Sequence, residues 1–274
     1  MTGATPAAPA TPKLATYLYC IVQSAEPPIP PPSPTPEEDL AGLPETAAPR
    51  LVPLSAGLWL MVGDAALPAF SAEEIERRLS DLAWVSACAV AHERVVAHFA
   101  ALAPVVPMKL FTLFASDERA VEALSKERER LTAVLEKVAG AAEWGVRIHF
   151  DASRAKRVPA TATGNGAPVS GRDFLLRKKE AQEAARHRMG QVSTAVEAAF
   201  DELSRHATAA RRREPVVAES GPRLLLDAAF LVPEERTEEL ERAVQAEAER
   251  LAASACEVTL TGPWPPYNFI EDVG

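Results

Sequence analysis

Cysteine is nearly absent from the chain, and Cys20, Cys88 and Cys256 lie far apart, without the paired spacings that zinc sites and dithiol redox motifs need. They read as buried, reduced thiols of a cytosolic protein. The five histidines, His92, His98, His149, His187 and His206, are equally dispersed, and none stands at the helical spacing that lets two rings share a metal. There is no nucleophile elbow, no phosphate-binding glycine loop and no glycine fingerprint between a strand and a helix. The paired carboxylates Asp117-Glu118, Glu234-Glu235 and Glu238-Glu239 fall in first helical turns, where the helix dipole accounts for them. No enzyme activity, metal or cofactor is expected. A net charge of −9 argues against a general nucleic-acid binder, which would need a basic face, and against simple attraction to anionic lipid. No run of eighteen apolar residues could span a bilayer, and the opening "MTGATPAAPATPKLA" has no signal-peptide core, so the expected location is the cytoplasm.

What is present is enough apolar residue, 47% of 274, to bury a sizeable core in one large or two ordinary domains. Residues 1–13 are mostly Ala, Thr and Pro with one lysine and read as a disordered tail. An N-terminal α+β domain is expected over 14–140. Its first strand, "ATYLYCIV", is apolar on both faces. The stretch from Gln23 to Thr46 holds eight prolines and reads as an exposed, extended loop, dispensable for folding. "APRLVPL" and "GLWLMVGD" read as a strand pair. Ser71 with Glu74 forms a capping box for helical structure bent near Asp81 and running to Leu102. "APVVPMKLFTLF" is expected to be a strand interrupted at Pro107. Ser116 caps a helix whose stripe is Val121, Leu124, Leu131, Leu135 and Val138, stopped at Gly140.

The second domain is expected over 141–274. "EWGVRIHFD" alternates cleanly, with Trp144, Val146, Ile148 and Phe150 on one face. A Gly, Ala, Thr and Pro-rich loop leads to a cap at Ser170 and to the longest helix, expected to reach about Arg211 with Met189, Val192, Val196, Phe200, Leu203 and Ala207 inward. Strands "VVAES" and "RLLLDAAFLV" flank a turn at Gly221-Pro222. A helix with Leu240, Val244 and Leu251 inward and the strand "CEVTLTG" follow. The order strand, helix, strand, strand, helix, strand is that of a ferredoxin-like βαββαβ sandwich, here modified by one long helix.

Three features point to contacts. Lys109 stands in an otherwise apolar strand and must reach an edge or a partner. Arg177, Lys178 and Lys179 lie on a helix face where solvation explains them, and docking of an acidic partner is the functional alternative. The closing decapeptide "LTGPWPPYNF" packs Pro263, Trp264, Pro265, Pro266, Tyr267 and Phe269 into a segment that can neither continue a central strand nor enter a helix. Left exposed, it would be a large apolar patch. It is expected to fold back and pin the protein's own domains, with Trp264 and Tyr267 mostly buried; the alternative is a free binding peptide.

These segments together resemble the gas vesicle protein family GvpF/GvpL over nearly the whole folded chain, from about Thr16 to Ile270. The Gly-Pro-Trp-Pro-Pro-Tyr run with an aromatic two residues on resembles the family's closing motif. "YLYCIV", "AHERVV", "VVPMKLFTLFAS", "EWGVRIHFD", "GRDFLLRKK" and "AAFLV" are similar to further family segments. One departure is that Lys109, Leu110 and Phe111 stand where the family usually has arginine, phenylalanine and glycine. The resemblance implies a two-domain α+β protein with a modified ferredoxin-like second domain. It implies a minor structural or assembly component at the gas vesicle within the cytoplasm, acting with the main shell protein and other accessory proteins. It implies no catalysis. The alternative from the residues alone is a ferredoxin-like small-molecule-binding regulatory or catalytic module, which would need a pocket with converging polar groups.

Overall fold

The computed structural model describes residues 13–29, 40–155, 171–214 and 221–270. The expectations for the amino-terminal tail, the centre of the proline-rich stretch, the loop ending at the Ser170 cap and the strand "VVAES" lie, wholly or in larger part, outside those residues. The chain forms two units. One is built from the chain up to Ala139 and again from Pro265 onward, and the other is Gly140–Trp264.

The first unit is organised by β1 (Leu14–Gln23), whose side chains are apolar on both faces because both are covered. It pairs antiparallel with β3 (Leu58–Ala66), which pairs in turn with β2 (Arg50–Ser55). On its other side lie β4 (Val105–Pro107) and, further along, β5 (Leu113–Phe114). A register shift between Leu18 and Cys20 splits the strand's side chains between the two faces. Tyr17, Tyr19, Cys20 and Val22 face one core with Phe70, Cys88, Val95, Val96 and Phe99. Leu18 and Ile21 face the other with Leu60, Val62, Leu124, Leu131 and Leu135.

The first core is covered by α1 (Leu67–Phe70), α2 (Ala72–Arg78) and α3 (Leu82–Ala100). The bend near Asp81 is a true break: the Asp81 carboxylate caps α3 by accepting from the N–H groups of Ala83 and Trp84, both at 3.1 Å. The second core is covered by α4 (Asp117–Ser125) and α5 (Arg128–Val138), so the single helix expected after Ser116 is two. The Glu127 N–H turns to the Leu124 carbonyl (3.1 Å) and interrupts it. Arg50 fastens α4 to the sheet, donating to Asp117 at 2.7 Å and to Asp64 at 2.6 Å. The guanidinium holds the Asp117 carboxyl below its ordinary range.

Two expectations for this unit are corrected. The strand expected to run through Lys109 ends at Pro107, and Met108–Thr112 is a turn. The proline-rich stretch is also less dispensable than its composition suggests. Its far end, Leu40 and Leu43, enters the first core, and Leu43 is 2% exposed. The Leu43 N–H donates to the Tyr19 hydroxyl at 3.0 Å, and Thr46 bridges to Ala65. Gly42 permits this approach, since a Cβ there would lie 2.6 Å from the Ala47 carbonyl oxygen and 2.8 Å from the Tyr19 hydroxyl.

The second unit is a four-stranded antiparallel sheet with helices on one face. Its elements are β6 (Ala141–Phe150), α6 (Ala152–Ala155), α7 (Gly171–Ser204), β7 (Ala209–Arg212), β8 (Arg223–Pro233), α8 (Thr237–Ala252) and β9 (Cys256–Trp264). The strand order is β7-β8-β6-β9. Trp144, Val146, Ile148 and Phe150 from β6 meet Val192, Val196, Ala199 and Leu203 from α7 and Leu240, Val244 and Leu251 from α8. The long helix stops at Ser204 rather than near Arg211. The N–H groups of Arg205 and His206 close a tight last turn onto Glu202 and Leu203, and Ala209–Arg212 pairs with β8 instead. The carboxyl end differs from the expected domain limits too, because Pro265–Ile270 packs with the first unit.

Because Leu43 fills the first core from a loop, Leu43→Ala should lower unfolding stability by about 2 to 5 kcal/mol, as for a buried leucine elsewhere. Urea denaturation measures this, with an unchanged slope against denaturant. A loss below about 0.5 kcal/mol would return the whole Gln23–Thr46 stretch to a passive loop.

Candidate partner-binding surfaces

The centre of the first unit is a buried polar knot. Tyr17 donates to His92 Nδ1 at 2.7 Å, and His92 Nε2 donates to the Met108 carbonyl at 3.1 Å, which assigns the Nε2–H tautomer. The Tyr17 hydroxyl accepts the Phe111 N–H at 3.3 Å. The Tyr19 ring stacks on His92 at 5.7 Å and meets the Tyr17 ring edge-on at 4.7 Å. Burial pushes His92 down to about 4, the Met108 carbonyl opposing in part, and pushes the Tyr17 phenol up. Both imidazole nitrogens and the phenol are engaged, so the knot positions β1, α3 and the Met108–Thr112 turn and offers no free base.

The closing segment docks beside this knot. The Tyr267 phenol donates to Glu93 Oε2 at 2.6 Å, and its ring packs on the core of Tyr17 and Phe99. Pro265 and Pro266 are buried, Phe269 is 1% exposed, and Ile270 packs on the core of Leu18 and Leu135. The Lys137 ammonium donates to the Phe269 carbonyl at 3.4 Å. Trp264 departs from expectation: it is 45% exposed, and Pro263 is exposed beside it. Trp264 is still the end of β9, held by backbone pairing with Glu143, and the buried part of the segment starts one residue later. Gly262 makes the close pairing possible, with φ of 127° and room for no Cβ, which would sit 2.9 Å from the Glu143 carbonyl oxygen.

Lys109 is exposed at the Met108–Thr112 turn, and its carbonyl accepts from the N–H and hydroxyl of Thr112. Phe111, two residues on, has φ of 66°, a left-handed conformation costly for a bulky residue. The strain is of order 1 to 2 kcal/mol. It is offset by a parallel stack on Trp84, centroids 5.2 Å apart with planes within 6°. Such pairs contribute about 0.5 to 1.5 kcal/mol beyond burial. The aromatic pair thus replaces the conformational freedom that a glycine would supply. Arg177, Lys178 and Lys179 lie exposed on α7 in the second unit, where Lys179 approaches Glu183 at 3.9 Å. The sequence reading therefore named contacts on both units, and among them only Pro265, Pro266, Tyr267 and Phe269 come together as a packed feature.

A surface that sequence reasoning missed is the outer face of α3. From Leu82 to Val90 the helix carries no charged residue, yet Leu82 is 77% and Val90 61% exposed. Ala83, Ser86, Ala87 and Ala89 are exposed between them, and Leu79 is exposed just before the helix. The signal was present as a charge-free run broken only by Ser86, "LAWVSACAV", too apolar for a helix with only one covered face.

Among the described residues no group of histidine, cysteine and carboxylate side chains is placed to hold a metal, and no helix is long and apolar enough to cross a membrane. An open cavity of about 280 Å³ lies against the β2–β3 hairpin and α5. Gln23, Ser24, Ser55, Arg128 and Thr132 supply its polar side chains, and no carboxylate, imidazole or thiol lines it.

The chain matches the family described as "Gas vesicle synthesis protein GvpL/GvpF" over residues 15–271. It belongs to that gas vesicle family. It is 30% identical over 209 residues to gas vesicle protein L of Streptomyces sp. (strain CB03234), covering 74% of this chain and 77% of that protein. The crystal structure of the gas vesicle protein GvpF from Anabaena sp. PCC7120 has the same fold at 17% identity, with a TM-score of 0.65 over 95% of this chain and 98% of that one. GvpF from Microcystis aeruginosa aligns with a TM-score of 0.59 at 15% identity, over 94% and 99%. The GvpL/GvpF member described here is thus an α+β protein with two antiparallel sheets and the GvpF fold.

The polar knot sets an acid response. His92 is neutral when folded down to about pH 4, whereas the unfolded chain protonates it near its ordinary 6.5. The stabilisation that neutral His92 permits is complete above pH 6.5 and declines as pH falls from 6.5 to 4, because only the unfolded state takes up the proton there. The decline should amount to about 3 kcal/mol. Denaturation at successive pH values should show this slope, and His92→Gln should lack it. A wild-type profile flat between pH 6.5 and 4.5 contradicts the assignment.

Proposed function

We propose that this protein acts in the cytoplasm at the gas vesicle as an assembly or minor structural component, without catalysis, in contact with the main shell protein and other accessory proteins. The observation that supports this is the uncovered apolar face of α3, carried by a chain of net charge −9 within a gas vesicle family. An acidic protein stays dispersed, and a charge-free face of leucine, valine and alanine holds another apolar surface without committing long, flexible side chains. The small residues let a partner backbone approach closely, and Leu82 and Val90 serve as knobs. The second unit is read as a modified ferredoxin-like sandwich, its order β7-β8-β6-β9 being what the strand–helix–strand–strand–helix–strand sequence yields when every neighbour is antiparallel. A small-molecule module would require a pocket with converging polar groups; the open cavity beside the β2–β3 hairpin has polar side chains but no carboxylate, imidazole or thiol to serve as an acid, base or nucleophile.

The test is co-purification of tagged protein from the native host. Leu82→Glu with Val90→Glu should reduce recovery of the main shell protein roughly tenfold, while the melting temperature stays nearly unchanged, since exposed substitutions alter stability by only about 0.5 kcal/mol. Undiminished recovery of the shell protein would remove α3 as the contact.

A further inference from the structure

The sheet edges of this protein are guarded unequally. In the first unit β2 carries Arg50 and an exposed Pro53, and β4 is three residues long. In the second, β7 is four residues long and carries Arg211 and Arg212. Short length, charge and proline are the usual devices against edge-to-edge pairing. The opposite edge, β9, has none of them over most of its length. It spans Cys256–Trp264, pairs only with β6 among the described residues, and keeps an unbroken register from Phe150↔Cys256 to Gly145↔Thr261. Glu257 is its single charge, Pro263 comes only at its end, and Thr259 and Thr261 are exposed while Val258 and Leu260 are half-buried.

We propose that β9 is a self-association edge, whose occupant is the β9 of a second copy of this chain, antiparallel and centred on Thr259. The strand's own pattern selects this partner and register. A two-fold axis normal to the sheet keeps each side chain on its own face, so only positions of like parity can oppose each other. Centring on Thr259 uses the whole run Cys256–Gly262 ahead of Pro263, which lacks an N–H. It sets Val258 against Leu260 of the second copy on the helix-covered face and Glu257 against Thr261 on the other. Centring on Glu257 instead would oppose two carboxylates, which is unfavourable across a strand pair. Antiparallel pairing closes on itself, and the two four-stranded sheets become one continuous sheet, whereas a head-to-tail arrangement would not close.

The experiment is sedimentation of the full chain over a wide concentration range, with register read by cross-linking. A monomer–dimer equilibrium is expected, and Thr259→Lys, which places two ammonium groups face to face at the axis, should weaken it about tenfold or more with unchanged circular dichroism and melting temperature. Thr259→Cys should give a disulfide-linked dimer on mild oxidation, and Glu257→Cys should not. Cys20, Cys88 and Cys256 are buried and do not confuse the readout. A monomer at every concentration overturns the proposal. So does a dimer that tolerates Thr259→Lys or links through Glu257→Cys.

Discussion

The hydrogen bond from Tyr267 to Glu93, with Phe269 buried two residues on, joins the closing segment to a core whose other members all precede Ala139. Burying a phenylalanine contributes about 1.5 to 3 kcal/mol, comparable with a sizeable fraction of a domain's net stability. The first unit is therefore built from two parts of the sequence that the second unit separates. A closing motif rich in proline suits this task, because Pro265 and Pro266 enter the docked state with little backbone freedom to lose. The aromatic residues then supply apolar area with few rotatable bonds.

That docking depends on how β1 is built. A strand covered on both faces cannot alternate polar and apolar, and β1 does not: Tyr17 and Tyr19 face one helix layer and Leu18 and Ile21 the other. The price of using tyrosine in a sealed core is that each hydroxyl needs a partner. His92, Phe111 and Leu43 meet that need, and in doing so fix α3, the Met108–Thr112 turn and the end of the proline-rich stretch. Glu93 projects from α3 one residue after His92, so the same helix that binds the knot also receives the tail. The inner face of α3 is thus fixed by hydrogen bonds at His92 and Glu93.

Most of the fold was legible in the residues. The doubly apolar "ATYLYCIV", the Ser71 box, the alternation of "EWGVRIHFD" and the stripes of α5 and α8 all specify elements by period and cap. The misreadings share a cause, which is that distant contacts overrule local preference. Ala209–Arg212 is composed of good helix formers and becomes a strand because β8 offers it an edge. Lys109 follows strand-like valines but sits in a turn drawn over by the Tyr17 hydroxyl. Trp264 and Tyr267 belong to one motif, yet the first is committed to β9 and the second to the first unit, and sequence spacing does not reveal where a chain changes allegiance. Leu43 was hidden by its proline-rich neighbours, and the α3 face because an uncharged run does not say which of its residues a neighbour covers.

The closing segment is part of the first unit's core, and hydrogen exchange on a chain ending at Trp264 tests that directly. Amides of β1 and α3 should lose protection by orders of magnitude relative to the full chain, while those of β6 and β8 keep theirs. Equal protection of β1 and α3 in the two chains would show that the Pro265–Ile270 segment rests on a core already complete without it, and would contradict the account.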